Sequence, residues 1–305
     1  CSVSSVQGLI MSRFESLPEP LVAAAARGEL VLLVGSGMSR QADPTMPNWR
    51  QLLERLTDHA ASTNRVSGEA RAELLELISG QKYLAVAEEL REVMALDEFR
   101  AQLELEIEHY VRPSEAHKLL WELEPEIVLT TNYDRFLEHT FAAIRERSVR
   151  VLDYTQAPQL QRLLQSSSLS SEDPVVVHLH GSVADTEKVI LSERDYRHLL
   201  YEQPGYRMVL SALFITRTVL MLGFSVDDRE LLALLEMLRQ SLKDGSSPDY
   251  ALIPTSAGSV SAGRLRKDFG VDVIGYEPAD DTHAEVIDFL TTLKSEADGL
   301  RATAP

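Results

Sequence analysis

The chain has 305 residues, of which 44% are hydrophobic and 25% charged, an ordinary globular composition that argues against a mainly disordered protein. Asp+Glu outnumber Lys+Arg by 47 to 30, and the resulting net charge of −17 repels phosphate backbones and anionic membranes, so direct nucleic-acid binding is not expected. The single cysteine, Cys1, rules out a disulfide framework and any cysteine zinc cluster.

No apolar run approaches the roughly 20 residues that span a bilayer, and the first ten residues lack a cationic start and an apolar core. The expectation is a soluble cytoplasmic protein with no membrane partner. Cys1 is not a natural start, and Met11 is the candidate true beginning. One domain is expected over residues 11–296, with 1–10 and 297–305 as tails.

Short apolar runs alternate with helical stretches, the pattern of an α/β fold with a mainly parallel, Rossmann-like sheet. An alanine-rich helix is predicted over about 18–27, stopping near Gly28. Leu30-Val31-Leu32-Leu33-Val34 is apolar throughout, as a strand buried on both faces is, and runs straight into Gly35-Ser36-Gly37-Met38-Ser39. From about 49 to 122 the apolar residues fall at helical spacing (Leu52, Leu53, Leu56; Leu74, Leu75, Ile78; Leu84, Val86, Leu90), which predicts a helical insertion or subdomain. Residues 127–131 read as the second strand, followed by a helix over about 133–145. Further strands are predicted at 149–152, 175–180, 189–191, 218–222, 250–253 and 271–274. A polar loop is expected at 166–173, a last helix at about 282–294, and a frayed tail after Ser295.

Four polar motifs follow apolar strands: Gly35-Ser36-Gly37-Met38-Ser39, Thr131-Asn132-Tyr133-Asp134, His178-Leu179-His180-Gly181 and Gly223-Phe224-Ser225. Ligands of open α/β sheets bind outside the carboxyl ends of the strands, so the four motifs are expected to converge on one pocket. Glycines let a backbone approach a ligand closely, and the amides of the following helix attract phosphate. An ordinary hydride-transferring dehydrogenase fits poorly. The third glycine of the usual dinucleotide fingerprint is replaced by Arg40, and a helical stretch stands where its acidic ribose ligand would be.

Together with Pro47-Asn48-Trp49-Arg50, these motifs resemble those of the sirtuin family, in the same order over about residues 28–276. The glycine turn resembles its Gly-Ala-Gly-x-Ser phosphate loop, Pro47 to Arg50 its Pro-Asp-Phe-Arg segment, Thr131 to Asp134 its Gln-Asn-Ile-Asp segment, His180-Gly181 its His-Gly, and Gly223 to Ser225 its Gly-Thr-Ser. Asn132-Tyr133-Asp134, the Pro-x-Trp stretch and Gly-Phe-Ser-x-x-Asp look like the bacterial sirtuin-like branch used in antiphage defence. The four-cysteine zinc ribbon of deacylating sirtuins is absent, as one cysteine requires.

The resemblance implies a sirtuin-type NAD-binding fold, with NAD as substrate and no metal. It implies that Asn132 orients the ribose or a water and that His180 accepts a proton. Asp134 would hold the nicotinamide carboxamide, or cap a helix. Ser36 and Ser39, with the amides of Gly35 and Gly37, would grip phosphate, and Ser225 would reach phosphate or ribose from the other side. Thr131, Gly223 and Phe224 belong to the same implied cofactor site. Trp49 has two readings, a cover for the ribose face or an anchor for the helical subdomain. Arg50 likewise pairs with phosphate or lies solvated on a helix.

The implied activity is NAD+ hydrolysis to nicotinamide and ADP-ribose, as an NAD-depleting effector switched on by an infection-sensing protein partner or by self-association into an oligomer. The alternatives are an NAD-dependent deacylase or ADP-ribosyltransferase, and a non-catalytic subunit that binds ADP-ribose or another nucleotide. His178 and His180, two apart on a predicted strand, share a face, a spacing that also suits a metal pair, but no third ligand is evident. His178 is expected to orient a neighbour or pack. His59, His109 and His283 read as surface residues of helices.

Overall fold

The computed structural model describes residues 14, 16–108, 113–165, 170–224, 229–238, 248–255, 259–280 and 282–303. Seven short strands form one all-parallel sheet: β1 (Leu30–Val34), β2 (Ile127–Thr130), β3 (Arg150–Asp153), β4 (Val175–His178), β5 (Thr218–Leu222), β6 (Asp249–Pro254) and β7 (Val271–Tyr276). Their order is β3-β4-β2-β1-β5-β6-β7. The central strands β1, β2, β4 and β5 are buried along their whole length, which is why their sequences show no polar alternation.

The helices that open the chain and cross to β2 are α1 (Glu19–Ala26), α2 (Ser36–Ala42), α3 (Trp49–Ser62), α4 (Gly68–Ser79), α5 (Tyr83–Val93), α6 (Leu96–Ile107) and α7 (Glu115–Glu122). After β2 come α8 (Phe136–Arg145), α9 (Ala157–Gln165), α10 (Glu193–Glu202), α11 (Pro204–Thr216), α12 (Arg229–Leu238), α13 (Ser259–Phe269) and α14 (Glu285–Thr303). One core packs α1, α7, α8 and α14 against Leu30, Leu32 and Val34, the side chains on one face of β1. A second core packs α9 to α13 against Val31 and Leu33 on the other face. Among the described residues, no helix is long and apolar enough to cross a membrane.

The helical insertion has its own core, built on Leu53, Leu56, Ile78, Val86, Leu90 and Phe99. It covers α3 to α6 only. The predicted insertion ran to 122, but Leu120 and Trp121 of α7 pack with the sheet-flanking core, so α7 is the crossover helix into β2. The insertion docks onto α10 through polar pairs: Arg91 of α5 with Asp195, and Glu88 with Arg194 at 3.2 Å.

Other boundaries differ for local reasons. The helix after β2 starts at Phe136 rather than Tyr133, because Asp134 Oδ1 accepts the Phe136 N–H and turns the chain first. Strand β4 ends at His178, so His180 lies in the turn beyond it and not two places along a strand. Residues 189–191 are extended but form no ladder: Ile190 N–H donates to the His180 carbonyl, and the Tyr133 hydroxyl donates to the Ile190 carbonyl at 2.7 Å. The last helix does not stop near 294. Ala297 is buried, and the Arg301 guanidinium donates to the carbonyls of Ala25 and Ala26, which carries α14 to Thr303.

Asp249, at the start of β6, is buried and accepts the Val219 N–H at 2.9 Å. Burial pushes its carboxyl up to about 7. The folded protein therefore holds a proton that the unfolded chain releases near pH 4, and stability falls as pH rises between about 4 and about 7. Asp249→Asn keeps an acceptor for Val219 and removes the ionisation. It is expected to flatten that slope and add on the order of 2 kcal/mol at pH 8, read by denaturant unfolding across pH. An unchanged slope contradicts the assignment.

Candidate active site

The chain goes from β1 to β2 on one side of the sheet and later enters β5 on the other side of β1. The carboxyl ends of β1 and β5 thus flank the switch point, where an open α/β sheet leaves a crevice. Three glycines close this point. A Cβ on Gly223 (φ +77) would lie 2.6 Å from Met38 N and 2.8 Å from Gly35 O; one on Gly37 would lie 2.9 Å from Gly223 Cα; one on Gly35 would lie 2.7 Å from the Phe224 ring. The two loops are laced by Gly35 N–H donating to Leu222 O at 2.8 Å and Gly37 N–H to Gly223 O at 3.0 Å. Those two amides were expected to face phosphate. They hold the two loops together instead.

The loop after β2 is fixed just as tightly. Thr130 Oγ1 donates to Val34 O and accepts the Asn132 N–H, both at 3.0 Å, and Thr131 N–H donates to Val34 O at 3.2 Å. Asn132 Nδ2 donates to Gly35 O at 3.0 Å and to Ser39 Oγ at 2.8 Å. Ser39 Oγ in turn donates to Asp134 Oδ2 at 2.6 Å. Ser39 was expected to grip phosphate, but its hydroxyl is buried and committed to Asp134 and Asn132. Gly35 O can only accept, which fixes the amide orientation and leaves Asn132 Oδ1 with no partner among the described residues. Burial pushes the Asp134 carboxyl up, against the hydrogen bonds from Ser39 and Phe136. Asp134 turns the chain ahead of α8 by accepting the Phe136 N–H, but it is not the expected cap: the N-cap position is Arg135, and no side chain caps the helix.

His178 is buried, with Nδ1 3.0 Å from Asn132 O and Nε2 2.8 Å from Glu138 Oε1. His180 is 3% exposed, its Nδ1 is 3.4 Å from the Tyr196 hydroxyl, and the two rings meet edge to face at 5.2 Å. Burial pushes its imidazole down to about 3, so it is neutral at any ordinary pH. Gly181 explains the His-Gly pair: with φ +76, a Cβ there would lie 2.2 Å from Lys188 O.

A cavity of about 620 Å³ opens over the Gly37–Gly223 contact. Ser36, Gly37, Gly223 and Phe224 border it on the sheet side, and Trp49, Arg50, Lys82 and Tyr83 of the insertion border it on the other. Arg40, Arg50 and Lys82 give it three cationic side chains against one acid, Glu193, an inversion of the chain's overall charge. Arg50 is itself paired with Glu54 at 2.8 Å, whereas Arg40 and Lys82 have no ion pair among the described residues. Trp49 borders the cavity while packing against the insertion core and the Tyr83 ring at 6.2 Å. Asn48 caps α3 through a reciprocal pair with Gln51.

The four motifs do not all face this cavity. Thr131, Asn132, Asp134 and His180 do not border it. They lie one residue behind its wall: Ser39 follows Met38, and Tyr196 borders the cavity while contacting His180. Ser225 lies outside the described residues, as does His109.

A protein-family model described as SIR2-like domain matches residues 126–274. Over this span, just under half of the chain, the sequence is similar to that family. NAD(+) hydrolase ThsA of Enterococcus faecium is 27% identical over 161 residues, 52% of this chain and 30% of that protein. NAD(+) hydrolase ThsA of Bacillus cereus is 30% identical over 158 residues, again 52% of this chain and 30% of that protein. The namesake of Cytobacillus dafuensis is 22% identical over 231 residues, 74% of this chain and 41% of the relative. The chain thus spans less than half the length of the curated relatives it matches. A solved Sir2 enzyme superposes with a TM-score of 0.46 at 14% identity, covering 94% of this chain and all of its own.

The matched span begins at β2 and leaves out the glycine turn, but β1 lies between β2 and β5 and brings that turn into the sirtuin-like region. Sequence reasoning gave no site role to Arg40, Lys82, Tyr196 or Glu138: Arg40 stood out only as the residue in place of a fingerprint glycine, and the other three read as ordinary residues of an amphipathic helix or its end. It also placed His283 on a helix surface. His283 stands before α14 with φ +50, its Nδ1 2.9 Å from the Tyr276 hydroxyl, and both residues border the cavity. Among the described residues, no group of three His, Cys, Asp or Glu is placed to hold a metal ion.

Proposed function

We propose that the protein hydrolyses NAD+ at the nicotinamide–ribose bond, giving nicotinamide, ADP-ribose and a proton. One observation carries this reading: a cation-bordered cavity at the switch point, with the Asn132–Ser39–Asp134 chain and His180 immediately behind its wall. Relatives named NAD(+) hydrolase support it over the half of the chain they share.

In this reading the diphosphate lies by Ser36, Arg40 and Lys82, where opposite charge favours it. The C1′–N bond breaks with its electron pair passing to the pyridine nitrogen, so nicotinamide leaves neutral and needs no general acid. The transition state is oxocarbenium-like. Asn132 Oδ1 orients the ribose or the incoming water, and Asp134 holds the carboxamide. His180, with Nδ1 3.4 Å from the Tyr196 hydroxyl, takes the proton released by the incoming water. An imidazole pushed down to about 3 is a weak base, but water adding to a cationic carbon becomes acidic enough to surrender its proton.

A neutral His180 has a consequence for pH dependence. Because its imidazole stays unprotonated down to about 3, kcat/KM for NAD+ is expected to stay level between about pH 8 and pH 5. A loss of activity with a midpoint near 6.5, the ordinary histidine value, would contradict the buried placement.

The sealed position of Asn132 and His180 fits a resting arrangement. Ribose reaches them when Tyr196 or the turn at Ser36 to Met38 gives way, and a protein partner or self-association supplies that movement in an NAD-depleting antiphage response. The same burial favours a second reading, a module that binds ADP-ribose or NAD+ without turnover. Product analysis of the purified protein incubated with NAD+ separates the two. Equal amounts of nicotinamide and ADP-ribose support hydrolysis; saturable binding without product supports the second reading; neither binding nor product removes both.

A further inference from the structure

We propose that His178, held as an imidazolium between the Glu138 carboxylate and the Asn132 carbonyl, is a positioning residue that fixes the Asn132 backbone and so aims its side chain. The proposal rests on the reading of Asn132 as the group that meets the ribose. It concerns a residue that touches no substrate.

The argument is one of hydrogens. The Asn132 carbonyl can only accept, so His178 Nδ1, 3.0 Å away, must carry a proton. An ionised Glu138 can only accept, so Nε2, 2.8 Å from Oε1, must carry one too. A neutral imidazole has a single N–H and makes one of these bonds, never both. The competing arrangement puts the second proton on Glu138. Burial favours that neutral pair, but the bond and the charge between the two partners outweigh it, holding His178 above and Glu138 below their ordinary values. The other charged groups facing the pair work in the same direction: Asp134 raises His178, and Arg135 lowers Glu138. Glu138 Oε2 has no hydrogen-bond partner among the described residues, so His178 is the group that compensates this carboxylate at contact distance.

The placement matches the task. His178 ends β4 in register with Thr130, and Glu138 lies in the first turn of α8. The pair straddles the loop that presents Asn132. With Thr130 Oγ1 on the Asn132 N–H and Gly35 O and Ser39 Oγ on the side-chain amide, His178 supplies the remaining backbone restraint.

Two variants test this. His178→Phe removes the donor to the Asn132 carbonyl, and at pH 8 it is expected to lose kcat on the order of ten- to a hundred-fold with KM for NAD+ little changed, while His178→Asn, which restores an amide N–H, recovers part of the loss. Glu138→Gln removes the charge without altering shape; its amide can donate to Nε2, so a neutral His178 keeps Nδ1–H for Asn132 and kcat falls less than in His178→Phe. Nitrogen NMR of the full chain labelled at histidine reads the protonation without turnover: His178 carries two N–H protons in the wild type at about pH 7.5 and one in E138Q, and the Asn132 amide resonance moves in His178→Phe.

If the wild type does not cleave NAD+, the functional reading falls, and the NMR comparison still decides the positioning. One ring proton in the wild type, or an unmoved Asn132 resonance in a folded His178→Phe protein, overturns the proposal. So does a His178→Phe enzyme with wild-type kcat at pH 8.

Discussion

Asn132→Ala is expected to lower nicotinamide release by at least about 10²-fold while the protein still folds. The side chain removed is the one whose oxygen faces no protein donor among the described residues, so the reaction loses a group that the fold does not use. The fold loses two hydrogen bonds, to Gly35 O and Ser39 Oγ. Leaving those buried partners under-satisfied costs about 1–3 kcal/mol, less than the stability of an ordinary domain. Asn132→Asp separates the two effects. Carboxylate oxygens would then face Gly35 O and lie close to Asp134, and the variant should be less stable than the alanine one. Product chromatography beside circular dichroism and thermal melting makes the comparison. Undiminished hydrolysis by a folded Asn132→Ala protein removes Asn132 from the site.

Gly181→Ala is expected to destabilise the fold by about 3–5 kcal/mol, lowering Tm by roughly 6–12 °C. The residue stands at φ +76, which an alanine adopts only with strain, and its Cβ would lie 2.2 Å from the Lys188 carbonyl. Neither neighbour can yield cheaply. Lys188 is held by Asp153 and Asp185 at 3.0 and 3.1 Å, and Ile190 N–H is tied to His180 O. The strain therefore passes into the turn that carries His180. Gly28→Ala is the matching control: φ is +72 there, but nothing lies within 4 Å of the added carbon. It should cost only the backbone term, about 1 kcal/mol. Equal shifts in the two melts would mean that the Lys188 contact does not set the conformation at Gly181.

Much of the architecture was legible because burial on both faces leaves a plain mark. The runs Leu30 to Val34, Val175 to Val177 and Thr218 to Leu222 carry no polar alternation, and glycines end two of them where the loops touch. The end of α14 was not legible, since what holds it is Arg301 reaching carbonyls of α1 more than 270 residues away in sequence. The strand expected at 189–191 failed for a related reason. Val189 and Leu191 are buried in the core of the helical insertion and Ile190 in the core on one face of the sheet, but the Ile190 carbonyl accepts from the Tyr133 hydroxyl and the segment pairs with no strand.

At the site, the sequence identified the loops but not the hydrogen bonds inside them. Ser39, Gly35 and Gly37 looked like phosphate ligands because their residue types suit that task. The structure shows their polar groups bonded to Asp134, Leu222 and Gly223. Glu138 left no trace in the sequence, being one acid among 47 Asp and Glu. Only its position against His178 distinguishes it.

A crystal structure of the protein with ADP-ribose and nicotinamide, or with a non-hydrolysable NAD+ analogue, tests the central claim most directly. The account predicts the diphosphate over the Gly37–Gly223 contact and the nicotinamide ribose within about 2.6–3.2 Å of Asn132 Oδ1, with Tyr196 displaced and His180 open to the ribose. A dinucleotide lying wholly between Trp49, Lys82 and Tyr276, with Asn132 and His180 still sealed behind the wall, would contradict it.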